Sequence, residues 1–214
     1  DHLRDNRGVD ANKPDPAYPS YLEKSYPYKQ KLSKDKRYVM FAFTDWLPRL
    51  TAASQRAFGY DVVACESNHD SYRRGKADCS GKECIPYQVF WGAFKSFIED
   101  HPSDKPTVLY QIGGGSACRD GMFSVKDQLS VKRLGLENHV FVEHFKPKNP
   151  LTMVLRVWFS ILGYDVLKAL QLYYSDASEN NPSDQLYENA CKRLETLVED
   201  SATTSPAGLW TLWS

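Results

Sequence analysis

Arg37-Tyr-Val-Met-Phe-Ala-Phe43 is a short and nearly continuous apolar run. Runs of this length without polar alternation belong to strands covered on both faces, as in a parallel sheet between two helical layers. Trp46 to Phe58 then has the period of a helix, with Leu47, Leu50, Ala53 and Phe58 on one side and Gly59 as a candidate cap at its end. Tyr60-Asp-Val-Val-Ala-Cys65 reads as a second strand. The alternation continues down the chain. A helix is expected over 85–98, where Pro86 is tolerated in the first turn. Thr107-Val-Leu-Tyr-Gln-Ile112 is a third strand, broken by Gly113-Gly-Gly115, and a helix is predicted from Cys118 to Leu134, stopped by Gly135. A fourth strand is expected at Val140-Phe-Val142, and two helices at about 150–172 and 183–200. Strands alternating with helices predict an α/β fold: a Rossmann-like, mostly parallel sheet flanked by helices, with a C-terminal helical segment.

The flanks differ in character. Residues 1–36 are polar, with Pro14, Pro16, Pro19, Pro27 and several tyrosines, and read as an extended linker or strap. The α/β domain is expected over 37–200, followed by a tail over 201–214. A first residue that is not Met and an end at Trp213-Ser214 read as those of a fragment.

Composition narrows the partners. The 214 residues are 42% hydrophobic and 25% charged, ordinary for a globular chain long enough to bury a core. Lys plus Arg and Asp plus Glu both count 27, so the basic surplus that nucleic-acid binding rests on is missing and no nucleic-acid partner is expected. The most apolar segment, Leu151 to Leu172, contains Arg156, Asp165 and Lys168. Spanning helices carry few or no charges, so this one is expected to be a buried amphipathic helix, with no membrane partner. No charged start followed by an apolar stretch marks the first residues as a signal peptide.

Five cysteines are an odd number, which argues against a complete disulfide framework and for a reducing, cytoplasmic location. Cys79, Cys84 and Cys118 stand in glycine-containing loop sequence: Cys79-Ser-Gly-Lys-Glu-Cys84-Ile-Pro86 and Gly113-Gly-Gly-Ser-Ala-Cys118-Arg119. Small residues let the backbone approach a bulky inorganic group. A helix opening at each cysteine aims free N–H groups at the site and favours thiolate over thiol. In parallel sheets, ligands lie beyond the carboxyl ends of the strands, which is where both loops are expected. The spacing alone leaves three readings open: an iron–sulfur cluster, a zinc site using Cys79, Cys84, Cys118 and His69, and a dithiol switch between Cys79 and Cys84. A cluster-free domain binding a nucleotide or a partner chain is a further alternative, since Gly113-Gly-Gly-Ser could cradle a phosphate; it lacks the ending of a P-loop. Cys191, within the helical pattern of Leu186, Ala190, Leu194 and Leu197, is expected in the core, and His69 and His144 on the surface.

Ser80-Gly-Lys-Glu-Cys-Ile-Pro86, followed by Val108-Leu-Tyr-Gln-Ile-Gly-Gly-Gly-Ser-Ala-Cys118-Arg119, resembles the 2-hydroxyacyl-CoA dehydratase components. These include the CoA-substrate-specific enzyme activases and the double-cubane cluster proteins. Gly59-Tyr-Asp-Val-Val and Leu134-Gly-Leu-Glu137 fall in the same order, and the resemblance covers roughly 37–200. The chain departs from the family pattern at Ile85, at Ser116-Ala-Cys-Arg-Asp-Gly121 and at Cys79. The resemblance implies an iron–sulfur cluster, of the 4Fe-4S or double-cubane type, held by Cys84 and Cys118 with Cys79 as a further candidate. Gly113, Gly114, Gly115 and Ser116 would then donate hydrogen bonds around it, and Arg119 would offset its charge or bind an anion such as a CoA phosphate. Lys82 or Glu83 would orient the loop. The implied role is to accept low-potential electrons from an ATP-dependent activase domain or subunit, on behalf of a dehydratase or reductase acting on acyl-CoA, within a longer polypeptide. No ATPase motif is present in the chain itself.

Overall fold

Strands β1 (Arg37–Met40), β2 (Asp61–Ala64), β3 (Thr107–Gln111) and β4 (Val140–His144) pair in the order β2-β1-β3-β4, every pair parallel. They belong to a computed structural model that describes residues 32–41, 46–111, 123–144, 151–175 and 182–200. The helices are α1 (Leu47–Arg56), α2 (His69–Ala77), α3 (Ile85–Asp100), α4 (Phe123–Arg133), α5 (Leu151–Tyr174) and α6 (Pro182–Glu199). This is the α/β, Rossmann-like architecture with a C-terminal helical segment that the alternation predicts. Most of the expected strap (1–36) and the tail (201–214) lie outside the described residues. Residues 32–36 are tied to the sheet: the Ser33 N–H donates to Tyr38 Oη at 2.8 Å and Lys36 meets Glu143 at 3.0 Å.

Both faces of the sheet are covered, which is why β1 is apolar after Arg37. Successive side chains of a strand point to opposite faces. Val39, Leu109, Val140 and Val142 pack with Phe90, Trp91, Phe94, Phe123 and Val131 of α3 and α4. Tyr38, Val62 and Val108, aligned in register, pack on the other face against Ala52 of α1. A third cluster joins Trp46 and Leu50 to Tyr164, Tyr187 and Cys191, so α5 and α6 dock on α1. Ion pairs reinforce that docking, Arg49 with Glu195 at 2.7 Å and Arg56 with Glu199 at 2.8 Å. Arg156, fully buried, donates to the carbonyls of Val198 and Asp200 at the end of α6. Among the described residues no helix is long and apolar enough to cross a membrane.

One predicted helix is described only in part, and one helix goes beyond the sequence reading. The helix predicted from Cys118 is described from Phe123, with 112–122 outside the described residues. The helix α2 had no apolar period to announce it; its signal is a capping box, in which Asn68 Oδ1 accepts from the Ser71 N–H at 2.8 Å and Ser71 Oγ accepts from the Asn68 N–H at 2.9 Å. α2 lies directly on α3. A Cβ on Gly75 would run into the Gln88 carbonyl, and one on Gly92 into the Ser71 carbonyl, so the two backbones touch where the helices cross.

Gly92→Ala is therefore expected to destabilise the protein by about 3 kcal/mol or more in chemical denaturation, because backbone must shift to admit the methyl group. Gly163→Ala meets only the flexible end of Leu194 and is expected to stay within about 1 kcal/mol of the parent.

Candidate functional site

The crossing of α2 and α3 leaves the connecting loop, 78–84, at the carboxyl edge of the sheet, because α3 must run back down to feed β3. At the start of the loop, Asp78 Oδ2 accepts from Trp91 Nε1 and from Lys95 Nζ, each at 2.9 Å. Burial works against that carboxylate's charge, but these donors outweigh it and hold Asp78 below the usual carboxylate range. At the far end, Glu83 folds back on the loop: its carboxylate accepts from the Ser80 N–H at 2.8 Å and from Ser80 Oγ at 3.0 Å. Lys126 of α4 meets the same carboxylate at 2.6 Å. The Lys126 contact is the main reason the Glu83 carboxyl is held down to about 2. Of the two charged residues expected to orient the loop, Glu83 makes these ties.

Between these anchors Cys84 is the N-cap residue of α3, extended at φ −69° and ψ 156°, and its side chain makes no capping hydrogen bond. Its carbonyl accepts from the Gln88 N–H at 3.3 Å, and Pro86 stands in the first turn without an acidic residue beside it. The start of a helix left without a capping side chain presents N–H groups and a positive dipole end. Cys84 lines a groove of about 240 Å³ together with Lys82, Glu83, Tyr87, Phe123, Val125, Lys126 and Leu129. The groove is thus walled by the opening turns of both α3 and α4. Phe123 is held there by ring contacts to Tyr87 at 5.1 Å and Phe90 at 5.8 Å. Burial pushes the Tyr87 phenol far up, with the Asp127 charge adding to it, so Tyr87 keeps its proton at any ordinary pH.

The other cysteines divide cleanly. Cys79 is half-buried against the main core, and burial, then the Glu83 charge, push its thiol up to about 11. Cys65 and Cys191 are core residues, both raised by burial. His69 opens α2 on the exposed surface, and His144 closes β4. Cys118, Gly113, Gly114, Gly115, Ser116 and Arg119 lie outside the described residues. The chain alone bounds Cys118: it precedes Phe123 by five residues, which can span at most roughly 18 Å. Phe123, Lys126 and Tyr87 were not singled out from the sequence, because an aromatic or a lysine at helical spacing carries no mark of the groove it will line.

Among the described residues no three His, Cys, Asp or Glu side chains stand together as a metal requires. Cys84 and Cys79 are thiols of one loop, the chemistry an iron–sulfur cluster uses, and further ligands would have to come from outside the described residues, Cys118 first.

The Glu83 pair sets a pH dependence. A carboxyl held at about 2 in the folded state and near 4.3 when unfolded contributes stability that is present above pH 5 and lost as the pH falls towards 2. In thermal unfolding from pH 7 to pH 3, Lys126→Met is expected to lower the midpoint at neutral pH and to flatten its decline with acid relative to the parent.

Compared with protein-family models, with curated proteins and with solved structures, the chain matches none.

Proposed function

We propose that the chain is the cluster-bearing component of a 2-hydroxyacyl-CoA dehydratase-like or CoA-activase-type system, accepting low-potential electrons from an ATP-dependent activase domain or subunit. The observation that carries this is the placing of Cys84: an uncapped cysteine at the start of α3, in a groove whose opposite wall is the first turn of α4. The family motif with Cys84 and the motif with Cys118 precede those two helices. The bound cluster would supply one-electron chemistry at low potential.

The chain's own residues do the rest. Cys84 and Cys118 provide thiolates, and Cys79, whose thiol is otherwise protonated, is the candidate third. The N–H groups at the start of α3 would donate towards the sulfurs, while Lys82, Glu83 and Lys126 line the groove with Lys126 paired to Glu83. Tyr87, Phe123, Val125 and Leu129 supply an apolar lining that limits water. Gly113 to Ser116 would donate hydrogen bonds around the cluster, and Arg119 would meet an anionic group such as a CoA phosphate. Thiolate ligands require reducing conditions, and the reading places the protein in an anaerobic cytoplasm.

Protein purified anaerobically and reconstituted with iron and sulfide is expected to be brown, with broad visible absorption and bound iron and sulfide. Cys84→Ala and Cys118→Ala should each lose most of the iron while Cys191→Ala retains it. Colourless, iron-free protein after reconstitution, or stoichiometric zinc without visible absorption, would overturn the proposal.

A further inference from the structure

Gly81, at the tip of the loop 78–84, stands at φ 84° with open space where a Cβ would lie, and Ser80 and Lys82 on either side of it are exposed. The tip is thus not packed, and the loop is governed by what holds its two ends. The first end is tied to α3 through Asp78, which accepts from Trp91 and Lys95 at 2.9 Å. At the other end the Gln88 hydrogen bonds are long: its N–H reaches the Cys84 carbonyl and its Nε2 the Glu83 carbonyl, each at 3.3 Å. Hydrogen bonds of this kind are usually about 2.9–3.0 Å long. The contacts of the Glu83 carboxylate with Ser80 lie within the turn and close it on itself.

Lys126 ties this turn to α4. It stands three residues after Phe123, whose ring is seated against Tyr87 and Phe90 of α3, so the base from which it reaches is fixed. Its Nζ meets Glu83 Oε1 at 2.6 Å, and the two side chains are 25% and 14% exposed, so water competes for this pair less than at an open surface. Lys126, Glu83 and Cys84 all line the same groove. A charge-assisted contact from α4 therefore decides where the turn comes to rest, and with it the next residue along the chain, Cys84.

We propose that Lys126 is a positioning residue for Cys84, acting through Glu83 to keep the sulfur half-buried at the groove. That it does so for the benefit of a cluster rests on the function proposed above, whereas its hold on Cys84 is measurable in cluster-free protein. Two modes of action differ in sign. An ammonium acting on the sulfur by its own charge favours the thiolate, so Lys126→Met would slow alkylation of Cys84. An ammonium acting through Glu83 restrains the turn, so its loss exposes Cys84 and speeds alkylation. The full chain, free of metal and under reducing conditions, is treated with iodoacetamide, and alkylation is followed by mass spectrometry of tryptic peptides. Cleavage after Lys82 separates Cys84, in 83–95, from Cys79, in 77–82. Lys126→Met is expected to speed alkylation of Cys84 by about tenfold, the loss of one charge-assisted hydrogen bond. Glu83→Ala should act in the same direction, and Lys126→Met should add nothing to it. Lys126→Arg keeps the charge and the reach to Glu83 and should return the rate most of the way to the parent's. Lys132→Met, at an exposed position of the same helix, should leave the rate unchanged. Far-UV circular dichroism and the thermal midpoint establish that each variant is folded at the assay temperature. An unchanged or slower rate in Lys126→Met would overturn the proposal. So would a further increase when Lys126→Met is added to Glu83→Ala, or an arginine variant as fast as the methionine one.

Discussion

Two helix backbones in contact, at Gly75 of α2 and Gly92 of α3, are the constraint on which the site depends. Side chains normally hold helix axes 8–10 Å apart, and removing them at both positions lets α2 lie on α3 with no layer between. The consequence is felt a few residues away. Once the pair is locked, the short loop from Asp78 to Cys84 has little freedom, and the tie from Asp78 to Trp91 and Lys95 removes more of it. Cys84 is thus placed largely by packing outside the groove it lines, with the Glu83 ties to Ser80 and Lys126 holding the far end of the loop.

Electrostatics then decides what state the site rests in. Glu83 is ionised because Lys126 and Ser80 hold it, and the same negative charge helps to keep the Cys79 thiol protonated. A pair joining the loop to α4 also couples the two walls of the groove, so a change in one is transmitted to the other through a contact of 2.6 Å. The chain has no net charge to steer distant ligands, and local arrangement carries the electrostatics instead.

The two faces of α5 are covered unequally. Its inner face completes the C-terminal layer through Tyr164 and the Arg156 contacts to the end of α6. Its outer face is only partly covered, leaving Trp158 55% exposed. Such a surface is costly to expose, by the same hydrophobic term that holds the core.

The sequence by itself determined the architecture, because strand and helix periods are local properties: the unbroken run of β1, the glycines at 59 and 135 with φ of 80° and 70°, and the apolar spacing of α3 all act over a few residues. It also marked Cys84 through its neighbours. It did not announce α2, whose face is glycine and serine rather than leucine, nor the Gly75–Gly92 contact, which exists only once two helices meet. Lys126, Phe123 and Tyr87 came to the groove the same way. The hydrophobicity of α5 was legible and read as that of a buried amphipathic helix, but which side is covered was settled by α1 and α6. Local sequence sets what each segment becomes, whereas which side chains share a surface follows from chain crossings that no short window contains.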